Sequence, residues 1–240
     1  MAKLTDFSLL SFDVYGTLID WETGILTALK PLLKKDPSKG FTSRHVLEVY
    51  HELERDQQRR APDMVYSQLL ATVHPLLAAK LDLPAPSVEE SIEFGDSVGS
   101  WPAFPDTIDA LNRLSKQYKL VVLSNVDRES FAASNAGSLQ GIKFDRVLTA
   151  QDIGSYKPDL RNFEKMLETV KTEFGVEKDK VLQTAQSQFH DHQPASRIGI
   201  KSVWIVRSGA VMGNSTTEIA DWKFDTLGDM ADAVEKERHH

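Results

Sequence analysis

Six polar side chains that can do chemistry follow or precede the apolar runs of this sequence. They are two carboxylates, one lysine and three hydroxyl or amide groups: Asp13, Thr17, Ser124, Asn125, Lys157 and Asp191. A carboxylate close to a lysine and to amide donors can act as a base, as a nucleophile or as a metal ligand. Each residue alone also has a plainer interpretation, in which Asp13 caps a turn and Lys157 balances its charge.

Short apolar runs predict the strands that would position these side chains. The runs cover residues 7–13, 119–125, 144–149, 180–185 and 201–207. Helical patterns follow at residues 106–117, 161–174 and 194–198. Strands that alternate with helices indicate an α/β fold, here a doubly wound, Rossmann-like parallel sheet covered on both faces. Parallel strands end at a common edge, so the polar residues at their carboxyl ends should meet there.

A long segment after the first strand interrupts this alternation. Residues 22–100 contain no convincing strand, and their apolar residues recur at helical spacing. Pro75 should kink one of these helices, and Ser87 with Glu90 forms a capping-box pattern at the start of another. We therefore expect a catalytic core of residues 1–21 and 101–240, with an all-helical cap, residues 22–100, over the carboxyl ends of the strands.

Composition excludes several classes of function. The 240 residues carry a net charge of −7, which disfavours binding to nucleic acid and to anionic membranes. There is no cysteine, so disulfides, thiolate nucleophiles and Cys-ligated metals are excluded. Asp6 interrupts the apolar start of the chain, so no secretory signal is expected and the predicted location is the cytoplasm. His239 and His240 follow a charged, helix-like segment, and we do not expect them to belong to the site.

The order of the motifs resembles the haloacid dehalogenase superfamily. The matching segments are Asp13-Val14-Tyr15-Gly16-Thr17-Leu18, Ser124-Asn125, Tyr156-Lys157-Pro158 and the Asp191 that ends Gln186-Ser187-Gln188-Phe189-His190-Asp191. Phosphatases of the superfamily carry a second aspartate at the position of Tyr15. With tyrosine there, the sequence resembles the L-2-haloacid dehalogenase (type II) branch, and the resemblance spans nearly the whole chain.

The fourth motif bears on metal binding. Superfamily phosphatases hold Mg²⁺ with the nucleophilic aspartate and with acids spaced as Asp-x-x-x-Asp, because Mg²⁺ prefers hard oxygen ligands. In this chain Ser187 takes the first acid position and only Asp191 remains. Tyr15 and Ser187 in place of two carboxylates should hold Mg²⁺ poorly. We therefore expect metal-independent chemistry without a cofactor.

The resemblance implies a displacement at carbon followed by hydrolysis. Asp13 would attack the halogen-bearing carbon, and water would then hydrolyse the aspartyl ester. Lys157 would keep Asp13 ionised, since a nearby opposite charge favours the charged form. Asp191, together with Ser187, would position or deprotonate the water.

The remaining residues of the resemblance would bind the substrate and its leaving group. Thr17 and Ser124 would donate hydrogen bonds to Asp13 or to a substrate carboxylate, and Asn125 would solvate the halide. Tyr15 would line the same pocket.

Some positions depart from the pattern that the resemblance predicts. The dehalogenases carry a halide-binding arginine on the first part of the cap, and Arg55 is the candidate here, although an exposed position on a charged helix face is the plainer interpretation. If Glu54 points into the crevice instead, an anionic substrate would be disfavoured. Phe163 replaces a substrate-binding tyrosine, Gln188 replaces an asparagine, and His190 replaces a pocket tryptophan.

The leading prediction is therefore hydrolytic dehalogenation of short-chain 2-haloacids through an aspartyl ester. One alternative is a hydrolase of the same fold that acts on another small electrophile, such as a phosphate ester. Another is a member of the fold that binds a ligand or partner without catalysis. The predicted partner is a small-molecule substrate, and Leu- and Val-rich cap helices are compatible with a homodimer.

Overall fold

A parallel sheet of six strands forms the centre of the computed structural model, which describes residues 2–213 and 218–239. The strands are β1 (Leu9–Phe12), β2 (Lys119–Ser124), β3 (Arg146–Thr149), β4 (Val181–Ala185), β5 (Lys201–Ile205) and β6 (Trp222–Phe224). Their spatial order is β3-β2-β1-β4-β5-β6, and each neighbouring pair is parallel. His240 lies outside the described residues.

Helices cover the sheet and fill the segment between β1 and β2. That segment holds α1 (Trp21–Ala28), α2 (Lys30–Leu33), α3 (Ser43–Arg60), α4 (Tyr66–Lys80), α5 (Val88–Asp96) and, just before β2, α6 (Thr107–Leu114). The later helices are α7 (Arg128–Ala136), α8 (Ala150–Ile153), α9 (Leu160–Phe174), α10 (Gln193–Ile198) and α11 (Leu227–Arg238).

The central strands are buried on both faces. Leu10 and Phe12 of β1 belong to one large apolar cluster, whereas Leu9 belongs to a second cluster that also contains Phe163 of α9. Neighbouring side chains of a strand point to opposite faces, so these two clusters lie on opposite sides of the sheet. This arrangement explains why the strands read as continuous apolar runs rather than as alternating ones.

The helices between β1 and β2 follow the predicted pattern. The Ser87 hydroxyl accepts the N–H of Glu90, and the Glu90 side chain accepts the N–H of Ser87, so the capping box is confirmed. Pro75 lies inside α4, which continues to Lys80, and the predicted kink stays a prediction. The division into a core and a cap at residues 22–100 stays a prediction.

The elements that sequence patterns missed include β6 and α7. The strand β6 has three residues, is only partly buried and pairs with the edge of β5, so its apolar signal is weak. The segment of α7 contains a single large apolar residue, Phe131, and its start is set by Asp127, whose side chain accepts the N–H of Ser130 at 2.8 Å. Within the residues that the structure describes, none of the helices is long and apolar enough to span a membrane.

Candidate active site

The first candidate residue, Asp13, directly follows β1 and is oriented by two elements. Its backbone N–H donates to the carbonyl of Thr184 in β4 at 3.1 Å. The chain then turns tightly, because the Val14 carbonyl accepts the N–H of Thr17 and Gly16 takes a φ of +98°, which favours glycine. This turn brings Thr17 Oγ1 within 2.6 Å of Asp13 Oδ2, to which it donates a hydrogen bond.

Lys157 joins the two carboxylates of the site. Its side chain is buried, and Nζ donates to Asp13 Oδ1 at 2.9 Å, to Asp191 Oδ1 at 2.8 Å and to the Leu123 carbonyl at 2.8 Å. Burial works to lower the pKa of Lys157, but the negative charges of Asp13 and Asp191 outweigh it and raise the pKa. Since an ammonium has three hydrogens, these three bonds use every donor of Lys157.

The carboxyl end of β2 holds the backbone of Lys157 in place. The Asn125 side chain accepts the N–H of Lys157 at 2.7 Å and donates to its carbonyl at 3.0 Å. One N–H of the Asn125 amide remains for another acceptor. The neighbouring Ser124 hydroxyl is buried and has no hydrogen-bond partner among the described residues.

Asp191 lies on a π-helical turn, Gln188–His192, that follows β4. Its Oδ1 accepts hydrogen bonds from Lys157 and, at 2.9 Å, from Gln183 Nε2, whereas its buried Oδ2 has no partner in the described part of the chain. Burial raises the pKa of Asp191 to about 7, with Lys157 opposing and Asp13 adding to the rise. Asp191 therefore has one oxygen held in place and one oxygen that can accept a proton.

Arg207 binds the backbone of the turn that follows Asp13. This buried guanidinium donates to the Thr17 carbonyl from Nε at 2.9 Å and from Nη2 at 2.7 Å, and it pairs with Asp106 through Nη1. The sequence pattern alone predicts no role in the site for Arg207 or Gln183. A glutamine inside an otherwise apolar buried strand is a signal that could have found Gln183.

These residues line a pocket of about 400 Å³ between the strand ends and α3. The strand ends and the loops after them contribute Asp13, Tyr15, Ser124, Asn125, Lys157, Ser187, His190 and Asp191. Helix α3 contributes His51, Glu54, Arg55 and Gln58. All predicted site residues except Thr17 therefore line one pocket, and Thr17 contacts it through Asp13.

On the α3 side, Glu54 is more enclosed than Arg55. The Glu54 side chain is 12% exposed, and its Oε1 accepts a hydrogen bond from the Tyr66 hydroxyl at 2.6 Å. Its Oε2 lies 3.5 Å from Nδ1 of His51. Arg55 lines the same pocket but is exposed. The carboxylate therefore lies deeper in the pocket wall than the guanidinium.

His190 faces α3 from the core side. Its Nδ1 lies 3.2 Å from Ser187 Oγ, and its ring centre is 6.5 Å from that of His51. Burial, helped by the charge of Lys157, lowers the pKa of His190 to about 4, so the ring is neutral at pH 7. The Ser187 hydroxyl is therefore held by His190, and its predicted assistance to Asp191 stays a prediction.

The side chains present do not fit a Mg²⁺ site. The Tyr15 hydroxyl is bonded to Ser134 Oγ at 2.9 Å, and burial raises its pKa above the usual range of tyrosine, so it stays neutral. Asp13 and Asp191 both direct Oδ1 to the same ammonium, Nζ of Lys157. Across residues 2–213 and 218–239, no cluster of three or more His, Asp or Glu side chains could hold a metal ion.

Comparison with known sequences gives two matches. The profile of a hydrolase family described as haloacid dehalogenase-like hydrolase matches residues 7–182. The (S)-2-haloacid dehalogenase of Pseudomonas sp. (strain YL) is 29% identical over 127 residues, which are 52% of this chain and 51% of that enzyme. The match thus spans about half the length of this curated relative.

Solved structures resemble nearly the whole chain. A crystal structure of a defluorinating L-2-haloacid dehalogenase matches with a TM-score of 0.80 at 15% identity, over 98% of this chain and 99% of that one. The L-2-haloacid dehalogenase from Xanthobacter autotrophicus with chloropropionic acid covalently bound matches with a TM-score of 0.77 at 17% identity, over 95% and 98% of the two chains. At these identities the likeness shows a shared fold.

Proposed function

This chain belongs to the haloacid dehalogenase-like hydrolase family, and from that premise we propose that it hydrolyses the carbon–halogen bond of short 2-haloacids through an ester on Asp13. One observation carries the proposal. The buried ammonium of Lys157 lies between the carboxylates of Asp13 and Asp191, so one carboxylate is held as a nucleophile beside a second that can take a proton.

In the first step, a carboxylate oxygen of Asp13 attacks carbon 2 of the substrate. The new C–O bond forms as the C–X bond breaks, and the bonding electron pair leaves with the halide. Thr17 and Lys157 hold the two oxygens of Asp13 and limit its rotation before the attack. The free N–H of Asn125 and the guanidinium of Arg55 would stabilise the departing halide.

In the second step, water attacks the carboxyl carbon of the Asp13 ester. Asp191 Oδ2, which has no partner among the described residues, would accept the proton of that water. The ester C–O bond then breaks, the 2-hydroxy product leaves and Asp13 is regenerated. A covalent adduct of chloropropionic acid in the Xanthobacter autotrophicus relative supports an intermediate of this kind.

No step of this proposal uses a metal ion. The pairing of Lys157 with both carboxylates, and the bond between Tyr15 and Ser134, supply stabilisation from the chain's own side chains. A phosphate ester fits this pocket less well, because neutral Tyr15 stands where a phosphatase would need an acid/base carboxylate.

The test is halide release from L-2-chloropropionate, D-2-chloropropionate and chloroacetate in the presence of EDTA. The proposal expects release that survives EDTA, favours one enantiomer and is lost in Asp13→Asn. Turnover of p-nitrophenyl phosphate that EDTA abolishes, without halide release, would overturn it in favour of metal-dependent phosphate-ester hydrolysis.

A further inference from the structure

One face of α3 forms the wall of the pocket opposite the sheet. His51, Glu54, Arg55 and Gln58 have the spacing i, i+3, i+4 and i+7, so they lie on one side of the helix. All four line the pocket. Each oxygen of a carboxylate can accept more than one hydrogen bond, so Glu54 retains acceptor capacity beyond the bond from Tyr66.

The pocket has little positive charge to offer an anion. Three carboxylates line it, those of Asp13, Glu54 and Asp191. The ammonium of Lys157 is already bonded to three acceptors. Among the described residues that line the pocket, the other side chain with a permanent positive charge is Arg55, which is exposed.

His190, which also lines the pocket, adds no positive charge to it at pH 7. Burial lowers the pKa of His190, so its ring carries no charge there. A substrate carboxylate would therefore bring a further negative charge to a pocket already lined by the carboxylates of Asp13 and Glu54, and like charges in a partly enclosed site repel strongly.

We propose that Glu54 selects uncharged 2-halo compounds that donate a hydrogen bond, of which 2-haloamides are the simplest, over 2-haloacid anions. This inference rests on the chemistry of the proposed function, halide displacement by Asp13, and replaces the haloacid anion with an uncharged amide as the preferred substrate. The amide N–H would donate to Glu54, and the amide carbonyl would accept from the Ser124 hydroxyl, which has no partner in the described part of the chain. Both groups line the same pocket as Asp13.

The chemistry balances as it does for a haloacid. An oxygen of Asp13 forms a bond to carbon 2, and the halide leaves with the electrons of the C–X bond. Water then hydrolyses the ester at the carboxyl carbon of Asp13. The products are a 2-hydroxyamide, one halide ion and one proton.

The experiment compares halide release from chloroacetamide and from chloroacetate, which share the leaving group and the reacting carbon. The rates of both compounds with free acetate ion give the intrinsic ratio of reactivity. Relative to that ratio, the wild type should prefer chloroacetamide in kcat/KM by at least about tenfold, which corresponds to about 1.4 kcal/mol.

Two variants test whether the charge of Glu54 causes the preference for chloroacetamide. Glu54→Gln, which removes the charge and keeps the shape, should reduce the preference about tenfold or more, mainly by raising kcat/KM for chloroacetate. Glu52→Gln removes the same charge from an exposed position of α3 and should leave the preference within about threefold of the wild type.

Four outcomes would contradict the inference or its premise. The role of Glu54 is wrong if the wild type prefers chloroacetate, or if the ratio of kcat/KM for chloroacetamide to that for chloroacetate is the same in both variants. In either case, halide release would still support the proposed function. Absence of release from both compounds by folded wild type overturns the proposed function itself. If Glu54→Gln does not fold, inhibition of wild-type halide release by acetamide is compared with inhibition by acetate. Tighter inhibition by acetate would overturn the inference.

Discussion

Nζ of Lys157 donates to Oδ1 of Asp13 at 2.9 Å, and this bond leaves Oδ2 of Asp13 to the hydroxyl of Thr17. Each oxygen of the nucleophile thus has its own donor, and the two donors come from distant parts of the sequence. A carboxylate held at both oxygens cannot rotate freely, so its lone pairs stay directed while the substrate enters. The same ammonium also binds Asp191, so both carboxylates depend on one counter-ion.

Replacement of the nucleophile should abolish turnover without unfolding the protein. In Asp13→Asn the neutral amide cannot displace halide, so we expect halide release to fall by at least about 1,000-fold. The similar size of the amide should preserve the circular dichroism spectrum. Release at the wild-type rate would exclude Asp13 as the nucleophile.

Removal of the buried ammonium should strongly reduce stability. Lys157→Met leaves Asp13 and Asp191 buried without their counter-ion, and breaking such a pair costs about 3–5 kcal/mol. Chemical denaturation with urea measures the loss. Lys165→Met, which breaks an exposed pair with Glu168, is the control and should change the free energy of unfolding little. Equal effects of the two substitutions would contradict the central role of the buried pairing.

Asp191→Asn should separate the two chemical steps. Alkylation of Asp13 continues, but loss of the base should slow hydrolysis of the ester by about 100-fold or more. The intact mass of the variant, measured after incubation with L-2-chloropropionate, should increase by one substrate-derived group. A variant that turns over without any adduct would assign the proton transfer to another group.

Protonation of Asp191 should also appear in the pH dependence of stability. Its pKa is raised from 3.8 to about 7, so between these values the folded protein binds a proton that the unfolded chain releases. The free energy of unfolding of the wild type relative to Asp191→Asn should therefore fall as the pH rises from about 4 to 7. The slope should be at most about 1.4 kcal/mol per pH unit. Urea titrations at several pH values measure it, and a flat difference would contradict the raised pKa.

The hydroxyl of Thr17 should matter more than its methyl group. Thr17→Val removes the bond to Asp13 and also the acceptor for the N–H of Gln186, which Thr17 Oγ1 binds at 3.0 Å. We expect a loss of about 1–3 kcal/mol in the free energy of unfolding and slower halide release. Thr17→Ser keeps the hydroxyl and should restore both. Failure of serine to rescue would show that packing, not hydrogen bonding, sets the effect.

The meeting of Asp13, Lys157 and Asp191 was predictable because strands of a parallel sheet end at one edge. Apolar runs located β1 to β5, and polar residues after them had to converge there. The bond from Gln183 to Asp191 was not predictable in the same way. A strand pattern predicts the face of the sheet on which a side chain lies. It does not predict that Gln183 of β4 binds a residue of the turn that follows the strand.

The choice between Glu54 and Arg55 also needed the structure. Neighbouring residues of a helix differ by about 100° in direction, so both can border one groove. Tyr66 of α4 decides the outcome, because its hydroxyl binds Glu54 and keeps it in the wall of the pocket while Arg55 stays exposed. Such a contact between two helices has no signature in the periodicity of either one.

The residues of α3 that line the pocket lie in a different part of the chain from the charged residues at the strand ends. Among the described residues, Glu54 makes no hydrogen bond to Asp13, Lys157 or Asp191. Substitutions at residues 51, 54, 55 and 58 can therefore alter what the pocket accepts while the bonds around Asp13 remain. A mutational library confined to these four positions should yield new selectivities at little cost in folding. In evolutionary terms, the helix can diversify quickly while the sheet edge stays constrained.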